Sequence, residues 1–374
     1  MKPYTLRGLL LILVCLVLSF ALTSCEDLFG GETGESSSNE EQDKAETEDE
    51  TGDRGDVPFS PGAPLPGGSL QEKFSAVSQR TDDRDVIYDI AVETDGTYNP
   101  MTVKTGGKHM AVKLHSNPPY IHTLTLGASG SLLAVGDNTT LILENIVIQG
   151  QPGNNRALIT VESGGTLTIL DGAVIRGNEN KAETQTYYSG EGGGVYVGGK
   201  AGLFMKGGEI CYNSRTHYSD QLGDGGGVAL DKESYFNMTG GSIHHNEADR
   251  YGGGVAVFDG IFLMNGGEIA GNKAWYGGGV YVRSSFGTRF DPLFKKEPLP
   301  GELKSGIIWG YPANDDKENY ANGPTVWYDW YEGYYSYYRE STLGEYHAIS
   351  TERIWGDGGA GGPLIPDSGW EKRN

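Results

Sequence analysis

Eight residues of this chain combine side chains that recognise sugars or protein surfaces with placement in short, polar connecting segments. They are Tyr187 and Tyr188 in segment 179–191, His217 and Tyr218 in 214–224, Arg250 and Tyr251 in 247–251, and Trp275 and Tyr276 in 273–276. Aromatic rings held on loops of a rigid scaffold can stack on sugar faces or anchor a protein partner. The same rings can equally cover an apolar flank beneath them, because aromatics pack as readily as they bind. His244-His245 is the one adjacent pair of imidazoles. Strand alternation puts the two rings on opposite sides, and two histidines without a third ligand do not complete a zinc site. No metal or cofactor is expected. Asp231 and Asp259 stand singly near strand ends, and no group of carboxylates lies on one strand face. Glycoside hydrolysis needs paired carboxylates, so the acid–base arrangement is missing at these positions.

What must position these loops is a repeat. An apolar residue, two more residues and an Asn lead through a variable loop to Gly-Gly-Gly-Val. This happens at Ile175–Asn178 with Gly192–Val195, and at Ile210–Asn213 with Gly225–Val228. It recurs at Ile243–Asn246 with Gly252–Val255, and at Ile269–Asn272 with Gly277–Val280. Successive triplets begin 33, 27 and 25 residues apart, a solenoid period. Between them run short alternating segments, Val195-Tyr-Val197 and Leu203-Phe-Met205 in one copy, that read as half-buried strands. Three such strands per turn predict an all-β, right-handed parallel β-helix. Each coil buries its apolar face only against its neighbours. Glycines supply the corners, and Asn178, Asn213, Asn246 and Asn272 are expected to stack there as a ladder bonded to turn backbone. The four loops then emerge on one side.

Ile269-Ala-Gly-Asn272 followed by Gly277-Gly-Gly-Val280 resembles the paired FxxN and GGA[ILV] repeats of chlamydial polymorphic outer membrane proteins. The resemblance spans about residues 172–282, with Ile at the motif Phe and Gly at its Ala. It implies a β-helical surface or passenger domain with an adhesive role. No autotransporter barrel is expected after Val282.

Around this repeat, Lys2 and Arg7 precede the apolar run Leu9–Phe20, and Leu22-Thr-Ser-Cys25 follows. The apolar run is too short for a comfortable membrane span and reads as a signal peptide over residues 1–24. Its end resembles a bacterial lipobox, which implies cleavage before Cys25 and lipidation of that thiol. Residues 26–56 carry 13 Asp and Glu against Lys44 and Arg54, over half of the net charge of −21. Such a segment cannot bury enough surface to order itself, so residues 25–68 read as an acidic tether ending in a Pro/Gly hinge. Its charge argues against nucleic-acid binding.

Leu70, Phe74 and Val77 share one face of a short helix expected to cap the open end of the stack. Alternating runs at 86–92, 101–104, 110–114, 121–126, 131–135, 140–148, 157–161 and 166–170 add about three coils, for about eight in all. Residues 69–300 form the β-helix domain. Phe290 to Pro300 reads as an irregular insertion and Lys304–Trp309 as a resumed repeat. The aromatics of 326–338, with Tyr346, Trp355 and Trp370, read as a C-terminal cap within 301–374. Cys15 leaves with the signal and Cys25 carries lipid, so Cys211 has no disulfide partner.

The function these readings favour is a lipid-anchored protein of the bacterial cell envelope, facing outward from the outer membrane. It would act as a non-catalytic adhesion or glycan-binding module toward a polysaccharide or a surface protein. The alternative is a polysaccharide lyase or glycoside hydrolase on the same scaffold.

Overall fold

The computed structural model describes residues 59–81, 84–181, 191–216 and 224–284. Beyond these it describes strand segments at 293–296, 307–308, 319–321, 329–331, 334–336 and 349–353. The fold is an all-β parallel β-helix in which three long sheets run the length of the stack. One coil shows the plan. Val195–Val197 lies in an eight-stranded sheet, Gly202–Met205 in a nine-stranded sheet and Glu209–Cys211 in a second eight-stranded sheet. We call these sheets I, II and III in that order. Equivalent strands of successive coils pair in parallel without slippage, as in Ile159↔Val195↔Val228↔Val255↔Val280. Eight to nine strands per sheet agree with about eight coils.

The register follows from what each strand must bury. Ile148, Ile175, Ile210, Ile243 and Ile269 occupy one interior column of sheet III, all fully buried. A one-residue slip would turn that column out to water. Removing one such side chain from water is worth about 1.5–3 kcal/mol. In sheet II, Leu167, Leu203, Phe236 and Phe262 form the matching column, with the two phenyl rings stacked at 4.5 Å. The helix Leu70–Ser78 closes the N-terminal end with Leu70, Phe74 and Val77 buried. Ser69 and Glu72 cap it reciprocally: Glu72 N donates to Ser69 Oγ and Ser69 N to a Glu72 oxygen.

Four features depart from the sequence expectation. A fourth, short sheet of two-residue strands begins each loop: Glu179–Asn180, Ser214–Arg215, Glu247–Ala248, Lys273–Ala274 and Tyr320–Ala321. The loops are therefore tethered to one another by backbone hydrogen bonds where they leave the corner. The run 140–148 is two strands, Thr139–Glu144 and Ile146–Gln149, because Asn145 adopts φ 49° and turns the chain. Within 290–300, Leu293–Lys296 pairs with Ile261–Met264 as one more strand of sheet II. Among the C-terminal aromatics, Asp329–Tyr331 and Tyr334–Ser336 form an antiparallel pair; the rest of that segment lies outside the described residues.

The corner asparagines form the expected ladder. Asn178, Asn213 and Asn246 each donate from the backbone N–H to the side-chain oxygen of the next, at 3.2, 3.0 and 2.9 Å. Each amide nitrogen reaches back to a carbonyl: Asn213 to Ile175, Asn246 to Ile210, Asn272 to Ile243. The ladder runs further than the motif did, through Asn154 at one end and Asn319 at the other.

Candidate functional site

The loop flank is built on the outward face of sheet I. The outward side chains there are Tyr196, Ala229, Ala256 and Tyr281, in register. Ala256 and Tyr281 are fully buried although they point away from the interior. What covers them comes from the loops. The Tyr251 ring lies on Tyr281 at 4.0 Å and 11°, with Phe258 and Tyr276 completing a small satellite cluster. Tyr251 is 9% exposed.

The backbone fixes this layer. Asp224, Tyr251 and Tyr276 stand in one column of isolated parallel bridges, with Gly225 N donating to Tyr251 O and Gly252 N to Tyr276 O. Arg250 holds Asp224 by two hydrogen bonds, Nε to Oδ1 at 2.9 Å and an Nη to Oδ2 at 2.6 Å. The Arg250 guanidinium lies 4.3 Å above the Tyr251 ring centre, a cation–π contact that also covers the ring. Arg215, wholly buried, donates to Asn180 O and Thr216 O. Burial lowers its pKa, while Glu191, Asp224 and Asp249 oppose that shift.

The sequence-predicted residues thus divide. Arg250 and Tyr251 are locked into the flank, and Tyr276 packs against them. Trp275 stands at the edge, 45% exposed, perpendicular to Tyr276 at a ring separation of 6.4 Å. Tyr187, Tyr188, His217 and Tyr218 lie outside the described residues, as does Cys25. Asp231 accepts from the Tyr196 hydroxyl at 2.7 Å; burial, then this carboxylate, raise the phenol's pKa well above its usual range. Asp259 is buried at φ 53°, a turn residue.

The histidine pair corrects the sequence reading. His244 and His245 do not point apart: their Nδ1 atoms are 2.8 Å from each other. Alternation fails because His245 sits at φ 53°, in the left-handed region, which swings its ring back over the same face. Tyr212 holds the same turn position one coil earlier, at φ 54°, and stacks on His245 at 5.1 Å. Beside them lie Glu209 and Cys211, the outward residues of the preceding strand, with Cys211 in register with His244. Burial, then the Glu209 carboxylate, push the Cys211 thiol up to about 12. Sequence reasoning missed Glu209, Cys211 and Tyr212. The signal was present, since Cys211 and His244 both lie two residues before a corner Asn and so share one outward column.

No protein-family model matches this chain, no curated protein matches it, and no solved structure matches it.

Proposed function

We propose that the protein is a lipid-anchored component of the bacterial cell envelope whose loop flank is a non-catalytic surface for adhesion or glycan binding. The observation that carries this reading is the contrast between Trp275 and its neighbours. An indole nearly half exposed stands on a rung immobilised by the Arg250–Asp224 pair and the Tyr251–Tyr281 stack. A rigid exposed aromatic loses little entropy on docking against a sugar face or a partner's apolar patch. An outer-membrane location and an anchor at Cys25 belong to the same proposal, and they rest on the sequence of residues 1–25.

The test is a glycan array with the full chain, alongside Trp275→Ala and Tyr251→Ala. Trp275→Ala is expected to weaken binding by about 0.5–1.5 kcal/mol, roughly 2- to 13-fold, at an unchanged melting temperature. Tyr251→Ala is expected to lower the melting temperature, since it uncovers Tyr281. Binding that survives Trp275→Ala intact sinks the assignment of the flank. Polysaccharide cleavage by the wild type would replace this reading with the enzyme one.

A further inference from the structure

We propose that Glu209, Cys211 and His244 form a binding site for one divalent transition-metal ion of the zinc class, on the outward face of sheet III. One donor atom from each side chain lies within 4.8 Å of the other two. His244 Nε2 is 3.4 Å from Glu209 Oε2, and Cys211 Sγ is 4.0 Å from the same oxygen. Bonds of about 2.0–2.3 Å to a tetrahedral zinc put its donors about 3.3–3.8 Å apart. The observed spacing is therefore within a small side-chain rotation of that geometry.

The surroundings fit an ion rather than three polar residues meeting by chance. Glu209 and Cys211 sit two apart on one strand, which aims both outward, and the register brings His244 beside Cys211 from the next coil. His244 Nδ1 faces His245 Nδ1 at 2.8 Å. With Nε2 on the metal, the Nδ1 hydrogen of His244 is donated to His245, the second-shell arrangement that fixes a ligating imidazole. Tyr212 packs edge-on against His244 and flat on His245, holding both rings. Arg176, in register with Cys211 and near enough for its charge to act on the thiol, donates from Nε to Gln149 Oε1 at 2.9 Å. Ala270, next in the column beyond His244, takes up little room.

A thiolate, an imidazole and a carboxylate select zinc or cobalt over calcium and magnesium, which take all-oxygen shells. Three protein ligands leave the fourth position to water or an incoming group. The site lies on a different sheet from the loop flank, so it stands or falls independently of the proposed binding function.

The test is titration of the full chain, purified in detergent, with Co²⁺ and then Zn²⁺. Expected are one bound equivalent, a thiolate-to-cobalt charge-transfer band that Zn²⁺ abolishes, and no competition by Ca²⁺. Cys211→Ser should remove the band. His244→Ala and Glu209→Gln, whose side chains are not part of the interior, should each weaken Zn²⁺ binding by about 100-fold while keeping the melting temperature. His245→Ala should weaken it by about 10-fold, in the range of outer-shell partners. Absence of the band in the wild type, its persistence in Cys211→Ser, or unchanged affinity in both His244→Ala and Glu209→Gln overturns the proposal.

Discussion

Asn246 satisfies its own coil and the two beside it. Its Oδ1 accepts from the Asn213 backbone N–H, and its Nδ2 donates to Ile210 O at 2.8 Å and to Asn272 Oδ1 at 3.0 Å. All of this happens at 1% exposure, where an unpaired donor or acceptor costs about 1–3 kcal/mol. Asn246→Ala strands at least the Asn213 N–H and the Ile210 carbonyl. A loss on the order of 3 kcal/mol is expected in chemical denaturation. An exposed polar change such as Lys104→Ala should cost under about 0.5 kcal/mol, and similar losses from both would refute the ladder's role. The four central asparagines were legible because each sits at a fixed offset from an apolar residue and precedes a glycine triplet. Asn154 and Asn319 were not, since neither is framed by that pattern. His245 was misplaced for a related reason: period-two parity holds only while the backbone stays extended, and one residue at φ 53° cancels it.

The coil is the unit in which glycines acquire their meaning. The first glycine of each triplet takes a left-handed φ, 62° at Gly252, which only glycine adopts without strain. Gly253 is required for space instead: a Cβ there would stand 2.5 Å from Gly278 O in the next coil. Gly253→Val should therefore destabilise by overpacking, about 1–3 kcal/mol, measurable as a lowered denaturation midpoint. An unchanged midpoint would mean that the coils are not this close. Between coils at the loop base, Glu179 bonds Lys181 at 2.7 Å and accepts from Gly153 N–H at 2.9 Å. The Lys181 bond, with the help of Gly153, holds its carboxyl below the ordinary value. A depressed pKa gives stability that is present above the unfolded value, about 4.3, and lost as pH falls through the folded one. Melting temperature should thus fall more steeply below pH ~5 in the wild type than in Glu179→Gln. Parallel slopes would remove this contact from the account. Most strand positions in the repeat were readable from alternation, but the break at Asn145 and the strand Leu293–Lys296 were not. The two-residue sheet at the loop bases was not, because a pair of residues has no measurable period.

At the scale of the whole chain, a solenoid draws its stability from interfaces between successive coils, so neither end of the stack has to pack against a separate domain. Such a body can be carried at the end of a solvated spacer without loss of structure, and the acidic run 26–56 has the composition of one. A spacer of that charge is repelled by anionic headgroups, so the proposed membrane attachment would have to come from lipid rather than from the polypeptide. One acyl chain gives only marginal, reversible membrane binding, and two give a stable anchor. The diacylglyceryl group implied by the lipobox-like Leu22-Thr-Ser-Cys25 supplies two. On detergent phase separation of cell extracts, the wild type is therefore expected in the detergent phase. Cys25→Ser, which has no thiol to acylate, is expected in the aqueous phase with the same far-UV spectrum, since the coils begin well after the substitution. Equal partitioning of the two proteins would dismiss the lipid anchor, and with it the argument that this β-helix works tethered to a membrane.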